Sequence, residues 1–112
     1  MSKRSPTLLL QDMLESAQKI KIYTADIDYD NFLKDEKTKD AVARNFEIIG
    51  EAANRLPSEF KDKHPEIKWN RIRGFRNRIV HHYFGIDFEI VWSIIENDLK
   101  FLIKQLSELL EE

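Results

Sequence analysis

Val91, Ile94, Ile95, Leu99, Leu102, Leu106 and Leu109 recur every three or four residues toward the end of this chain, the period of an α-helix and not of a strand. A helix of that length with one apolar side needs partners running beside it, and the upstream sequence provides them. Ser5-Pro6 reads as the N-cap and first position of a helix over about residues 6–23, with Leu10, Met13, Leu14, Ala17 and Ile20 facing inward. A second helix over about residues 35–55 turns Ala41, Val42, Phe46, Ile49, Ala52 and Ala53 inward, followed by Leu56 and stopped by Pro57. A third, from Trp69 to about Phe84, is expected to end at Gly85, with Asp87 capping the last helix. Short helical turns are expected around residues 31–33 and from Ser58. With three Gly, three Pro and no alternating apolar runs, the expected fold is all-α. Short connections between long amphipathic helices make it an antiparallel four-helix bundle with short extra helical turns.

A length of 112 residues, 42% of them apolar and 34% charged, fits one globular domain over residues 1–112. The absence of cysteine excludes disulfides, thiol nucleophiles and thiolate metal sites. No apolar run approaches the roughly 20 residues of a membrane span, and no signal-peptide pattern opens the chain, so a cytoplasmic protein without membrane association is expected. Net charge is near zero but unevenly spread. Residues 61–86 carry 7 basic and 2 acidic side chains, whereas residues 87–112 carry 2 and 7. The basic block, with Lys61, Lys63, Lys68, Arg71, Arg73, Arg76 and Arg78, suits either an anionic partner such as nucleic acid or a solvated face paired with the acidic C-terminal block.

Arg76 stands out within that block. On a helical wheel at about 100° per residue it falls inside the arc of Trp69, Ile72, Phe75, Ile79, Val80 and Tyr83, where a charge is costly to bury. Asn77, His81, Asn70 and Gly74 form an adjoining polar sector. Asn77 and His81, as i and i+4, place an amide where it orients the imidazole; Arg76 and Tyr83, as i and i+7, share a face. Gly74 in a helix interior would suit the close approach of another backbone or a ligand. Structural roles compete with functional ones at each position. Arg76 either makes a buried ion pair with Glu47 or Glu51 of the second helix or serves chemistry, and the two are compatible. His81 suits a helix C-terminus, and Tyr83 suits a core with its hydroxyl satisfied.

With no thiolate and no histidine pair at metal-ligand spacing, a dedicated metal site is not expected, nor is a cofactor. A near-neutral histidine and an arginine suffice for metal-independent cleavage of RNA. The histidine takes a proton from the 2′-hydroxyl, and the arginine binds two phosphate oxygens and stabilises the charge that develops on them. DNA, lacking that hydroxyl, would be spared. Arg73 and Arg78 are candidate phosphate contacts.

Arg76-Asn77, four residues between Arg76 and His81, His81-x-Tyr83, and Ile49-Gly50-Glu51-Ala52 stand together with Pro65-Glu66-Ile67-Lys68-Trp69, Tyr83-Phe84-Gly85-Ile86-Asp87 and Val91-Trp92. On these blocks nearly the whole chain resembles the HEPN ribonucleases, specifically the HepT-like toxins. The resemblance implies a HEPN-type bundle that forms a homodimer, with the two Arg-His motifs meeting across a shared cleft and Arg76 and His81 catalytic. It further implies a nucleotidyltransferase antitoxin of the MNT type as partner, which transfers AMP onto the motif tyrosine, here Tyr83. A different function remains compatible with the same residues: a non-catalytic HEPN interaction module that binds a nucleotidyltransferase or a nucleotide.

Overall fold

The computed structural model describes residues 4–81 and 85–111. Helix α1 (Pro6–Thr24) starts where the Ser5 hydroxyl accepts the Leu8 amide, with Pro6 at its first position. The short helix α2 (Tyr29–Lys34) is capped by Asp28, and α3 (Glu36–Arg55) by Asp35. The Asp35 carboxylate accepts both the Thr38 amide (3.0 Å) and the Thr38 hydroxyl (2.7 Å), bonds that hold its pKa below the usual carboxylate range. Pro57 separates α3 from α4 (Ser58–Asp62). There follow α5 (Trp69–Arg73), α6 (Phe75–Ile79), the two-residue strands β1 (Val80–His81) and β2 (Gly85–Ile86), α7 (Phe88–Ile94), a π-helical turn (Ile95–Leu99) and α8 (Lys100–Glu111).

Helix α1 packs against both α3 and α8, while α3 also carries α5 and α6. Their shared core includes Met13, Ala17, Ile20, Phe46, Ile49, Ala53, Phe75, Ile79, Val91 and Leu106, all at 2% exposure or less. Phe46 and Phe75 meet edge to face at 5.6 Å, fixing α6 on α3. Phe32 of α2 is fully buried against Phe88 and Trp92, which is worth about 2–3 kcal/mol and anchors α2 to the start of α7. The expected all-α, HEPN-type arrangement with extra helical turns is the one observed. Among the described residues no helix is long and apolar enough to cross a membrane.

Two regions depart from the expected helices. In the last one, Ile94 and Leu99 are both buried although five residues apart. A regular α-helix turns through about 500° over five residues and would leave Leu99 about 140° from Ile94. The π-helical turn absorbs the extra residue and returns Leu99, Leu102, Leu106 and Leu109 to the core side.

The expected third helix, residues 69–84, is not continuous. It is broken at Gly74 (φ −79°, ψ −3°) into two five-residue pieces and ends at Ile79. Val80 is already extended (φ −100°, ψ 123°). The physical reason lies in Ile79-Val80, a β-branched pair that crowds the preceding helical turn and sits comfortably in a strand. Val80 pairs with Ile86 and His81 with Gly85, antiparallel, and the Ile79 carbonyl accepts the Asp87 amide at 2.7 Å. Gly85, expected to terminate a helix, instead opens β2 at φ +74°, a conformation that a side chain would strain. Asp87 caps α7 as expected, its carboxylate accepting the Glu89 and Ile90 amides.

Candidate active site

Two helical faces meet over the segment that the sequence singles out. On α3, Glu47, Gly50, Glu51 and Asn54 follow the i, i+3, i+4, i+7 spacing of a single face. Opposite them stand Arg73, Arg76 and Asn77, at i, i+3 and i+4 across the α5–α6 junction. All seven line one open cleft of about 400 Å³. Gly50 sets its depth: a Cβ there would sit 3.6 Å from the Arg73 carbonyl oxygen and 3.8 Å from that of Ile72. The cleft thus has a floor of backbone and walls of polar side chains.

Arg76 is exposed, which corrects the expectation of a charge inside an apolar stripe. Trp69, Ile72, Phe75 and Ile79 are buried as the wheel requires, but the break at Gly74 and the end of the helix at Ile79 leave Arg76 outside the arc. Gly74 does not open the surface to a second backbone. A Cβ on it would press within 3.1 Å of the Asn70 carbonyl of its own preceding turn.

The ion pairs considered for Arg76 are not made. Glu47 is engaged by Arg44 (3.3 Å) and Glu51 by Arg55 (3.2 Å), both within α3. Among the described residues the Arg76 guanidinium has neither ion-pair nor hydrogen-bond partner, and the Asn77 amide is likewise uncommitted. Arg73 donates to Asn70 Oδ1 at 3.3 Å. Arg78 is placed apart from this cleft. Its Nη1 lies 3.7 Å from Asp98, an ion pair without a hydrogen bond, and the two oxygens of that carboxylate accept instead from Arg71 Nη2 at 2.9 and 3.1 Å.

His81 follows Arg76 by five positions but stands on β1, so the i, i+4 relation to Asn77 has no helix to support it. The His81 side chain lies outside the described residues, as does the whole of Tyr83. Asn54 was not anticipated. Its signal was the spacing from Glu47, Gly50 and Glu51, legible once one side of α3 is known to be polar.

A sequence profile described as "Ribonuclease HepT-like" matches residues 13–109, which include every residue of the cleft. The chain belongs to this family. Among its relatives, "Putative RNase MJ0127" of Methanocaldococcus jannaschii is 40% identical over 112 residues, covering 100% of this chain and 93% of that one. "Probable ribonuclease HepT" of Thermococcus cleftensis is 40% identical over 97 residues, 87% of this chain and 88% of its own. "Putative RNase TTE0752" of Caldanaerobacter subterraneus is 34% identical over 109 residues, 97% of each chain. No solved structure matches the chain. In this HepT-like protein the family match thus runs through α3, α5 and α6 together, the three elements whose meeting forms the cleft.

Proposed function

We propose that this HepT-like protein is a metal-independent endoribonuclease that acts in the cytoplasm as the toxin of a toxin–antitoxin pair. The observation that carries the reading is the uncommitted Arg76 guanidinium beside Asn77 and Arg73, in a cleft whose carboxylates are already held by other arginines of α3. A free guanidinium with two parallel N–H donors is suited to two oxygens of one phosphate. His81 takes the proton of the RNA 2′-hydroxyl. The 2′-oxygen bonds to phosphorus, the bond from phosphorus to the 5′-oxygen breaks, and Arg76 stabilises the extra charge on the phosphoryl oxygens. His81 of the partner subunit in a homodimer returns a proton to the departing 5′-oxygen, leaving a 2′,3′-cyclic phosphate and a 5′-hydroxyl. Asn77 orients the imidazole.

Regulation is assigned to Tyr83 as the acceptor of AMP from an MNT-type nucleotidyltransferase antitoxin. An adenylate on this tyrosine brings negative charge close in sequence to Arg76, which would compete with RNA for the same guanidinium. Incubation with RNA in EDTA tests the enzyme: cleavage is expected in the parent and lost in Arg76→Ala and His81→Ala. Intact RNA with a parent whose mass shows no modification would leave the non-catalytic HEPN module as the reading. For Tyr83, intact mass after incubation with the antitoxin and ATP should rise in the parent and stay constant in Tyr83→Phe. An equal gain in both would remove the tyrosine from the scheme.

A further inference from the structure

A second cleft, of about 550 Å³, lies against the first, between α4 and the start of α5. Arg73 lines both. Four cations border the second cleft, Lys61, Lys68, Arg71 and Arg73, against a single carboxylate, Asp62. Asp98 neutralises Arg71. The other three have no ion-pair partner among the described residues. Lys61 Nζ donates to the Ala53 carbonyl near the end of α3 (3.4 Å), and Arg73 donates to Asn70. Partial burial first, and the charge of Arg73 second, push the Lys61 ammonium below the ordinary lysine range, with Asp62 opposing less strongly. Lys61 and Arg73 therefore line one cleft as like charges, and among the described residues neither is ion-paired to a carboxylate. Such a pair is relieved by an anion.

We infer that this cleft is a phosphate subsite for the RNA backbone next to the scissile phosphate, with Lys61 and Arg73 as its donors and Lys68 at its edge. The inference rests on the ribonuclease reading of the Arg76 cleft and extends it. Because Arg73 borders both clefts, it joins the Arg76 cleft to the one that Lys61 lines, and Asp98 lines neither. The ring of Trp69, at the base of the cleft, is only 7% exposed and offers no face for a base to stack on. The subsite holds backbone and leaves the base unread.

The test compares an RNA of about ten nucleotides with a dinucleoside monophosphate, which carries the scissile phosphate alone. Lys61→Gln keeps an N–H donor for the Ala53 carbonyl and removes the charge; Lys61→Arg restores the charge. For the longer RNA, Lys61→Gln should raise KM roughly three- to tenfold at unchanged kcat and make the fall of log(kcat/KM) with log salt shallower by about 0.7. Dinucleotide cleavage should be unaffected, and Lys61→Arg should recover the parent values. An unchanged KM and salt slope in Lys61→Gln overturns the subsite and leaves the ribonuclease reading standing. So does an equal loss on both substrates, which marks a general disturbance. A parent that cleaves neither substrate defeats the ribonuclease reading, and the subsite with it.

Discussion

One basic block, two sides, two fates. Arg71 and Arg78, seven residues apart, face the π-helical turn, where Asp98 meets both. Arg73 and Arg76, three residues apart, face α3, where Glu47 and Glu51 are already held by Arg44 and Arg55. Both pairs belong to the same short stretch of chain, residues 71–78. What separates them is whether the packed neighbour has a carboxylate to spare. A positive stretch of sequence therefore says little about field until each side's counter-ions are counted, and among the described residues the two arginines on the α3 side are left without one.

The sharpest way to break this contrast is to delete one arginine from each side. Arg76→Ala should lower the rate of RNA cleavage by at least about a hundredfold, the loss typical of removing a group that stabilises transition-state charge, while Arg78→Ala leaves the rate nearly unchanged. Equal losses, measured as kcat in EDTA, would erase the distinction. The α3 side also depends on a close backbone approach. Gly50→Ala places its methyl in ordinary contact with the Arg73 and Ile72 carbonyls and should be tolerated. Gly50→Leu has no room and should cost about 1–3 kcal/mol in urea unfolding while widening the cleft. On the other side, Asp98→Asn should cost about 1 kcal/mol, because Arg71 is 46% exposed and water already screens the pair. That loss should shrink in high salt, and no loss at all would mean that the carboxylate does not neutralise this face. Smallest is the effect of single positioning charges on RNA. Arg73→Gln should make the salt dependence of kcat/KM shallower by about 0.7, and Arg71→Gln should leave it where it was.

The helices and their starts were legible because each carries a local signal that agrees with its packing. Ser5 and Asp87 cap the helices they were expected to cap, and the inward residues expected of α3, from Val42 to Leu56, are buried apart from the partly exposed Ala41. The segment from Trp69 to Phe84 was not legible, because period and propensity disagree there. The apolar spacing favours a continuous helix, whereas Gly74 and Ile79-Val80 favour a break and a strand, and the hairpin with Gly85-Ile86 decides between them. That error had a consequence for the site. Arg76 drew notice as a charge in an apolar stripe; it is exposed, and what sets it apart from the other arginines is a guanidinium with neither ion-pair nor hydrogen-bond partner among the described residues. No wheel reports that property, since it depends on which glutamates α3 keeps for its own arginines. Lys61 was legible only as one charge of the basic block, for the same reason: a lysine beside Asp62 reads as ordinary surface until α4 and α5 bring it to the cleft that Arg73 also lines.

The π-helical turn carries a consequence for deletions. Residues before Ile95 and after Leu99 belong to two helical frames that differ by one residue, joined where the extra one is absorbed. Removing one residue between 95 and 98 would merge the frames into an uninterrupted α-helix and leave Val91, Ile94, Leu102, Leu106 and Leu109 on the same side. The same deletion within α8 would swing everything after it by about 100° and carry Leu106 or Leu109 into water. A single-residue deletion inside this helix therefore has one safe place, and Asp98, the carboxylate that silences one side of the basic block, lies within it.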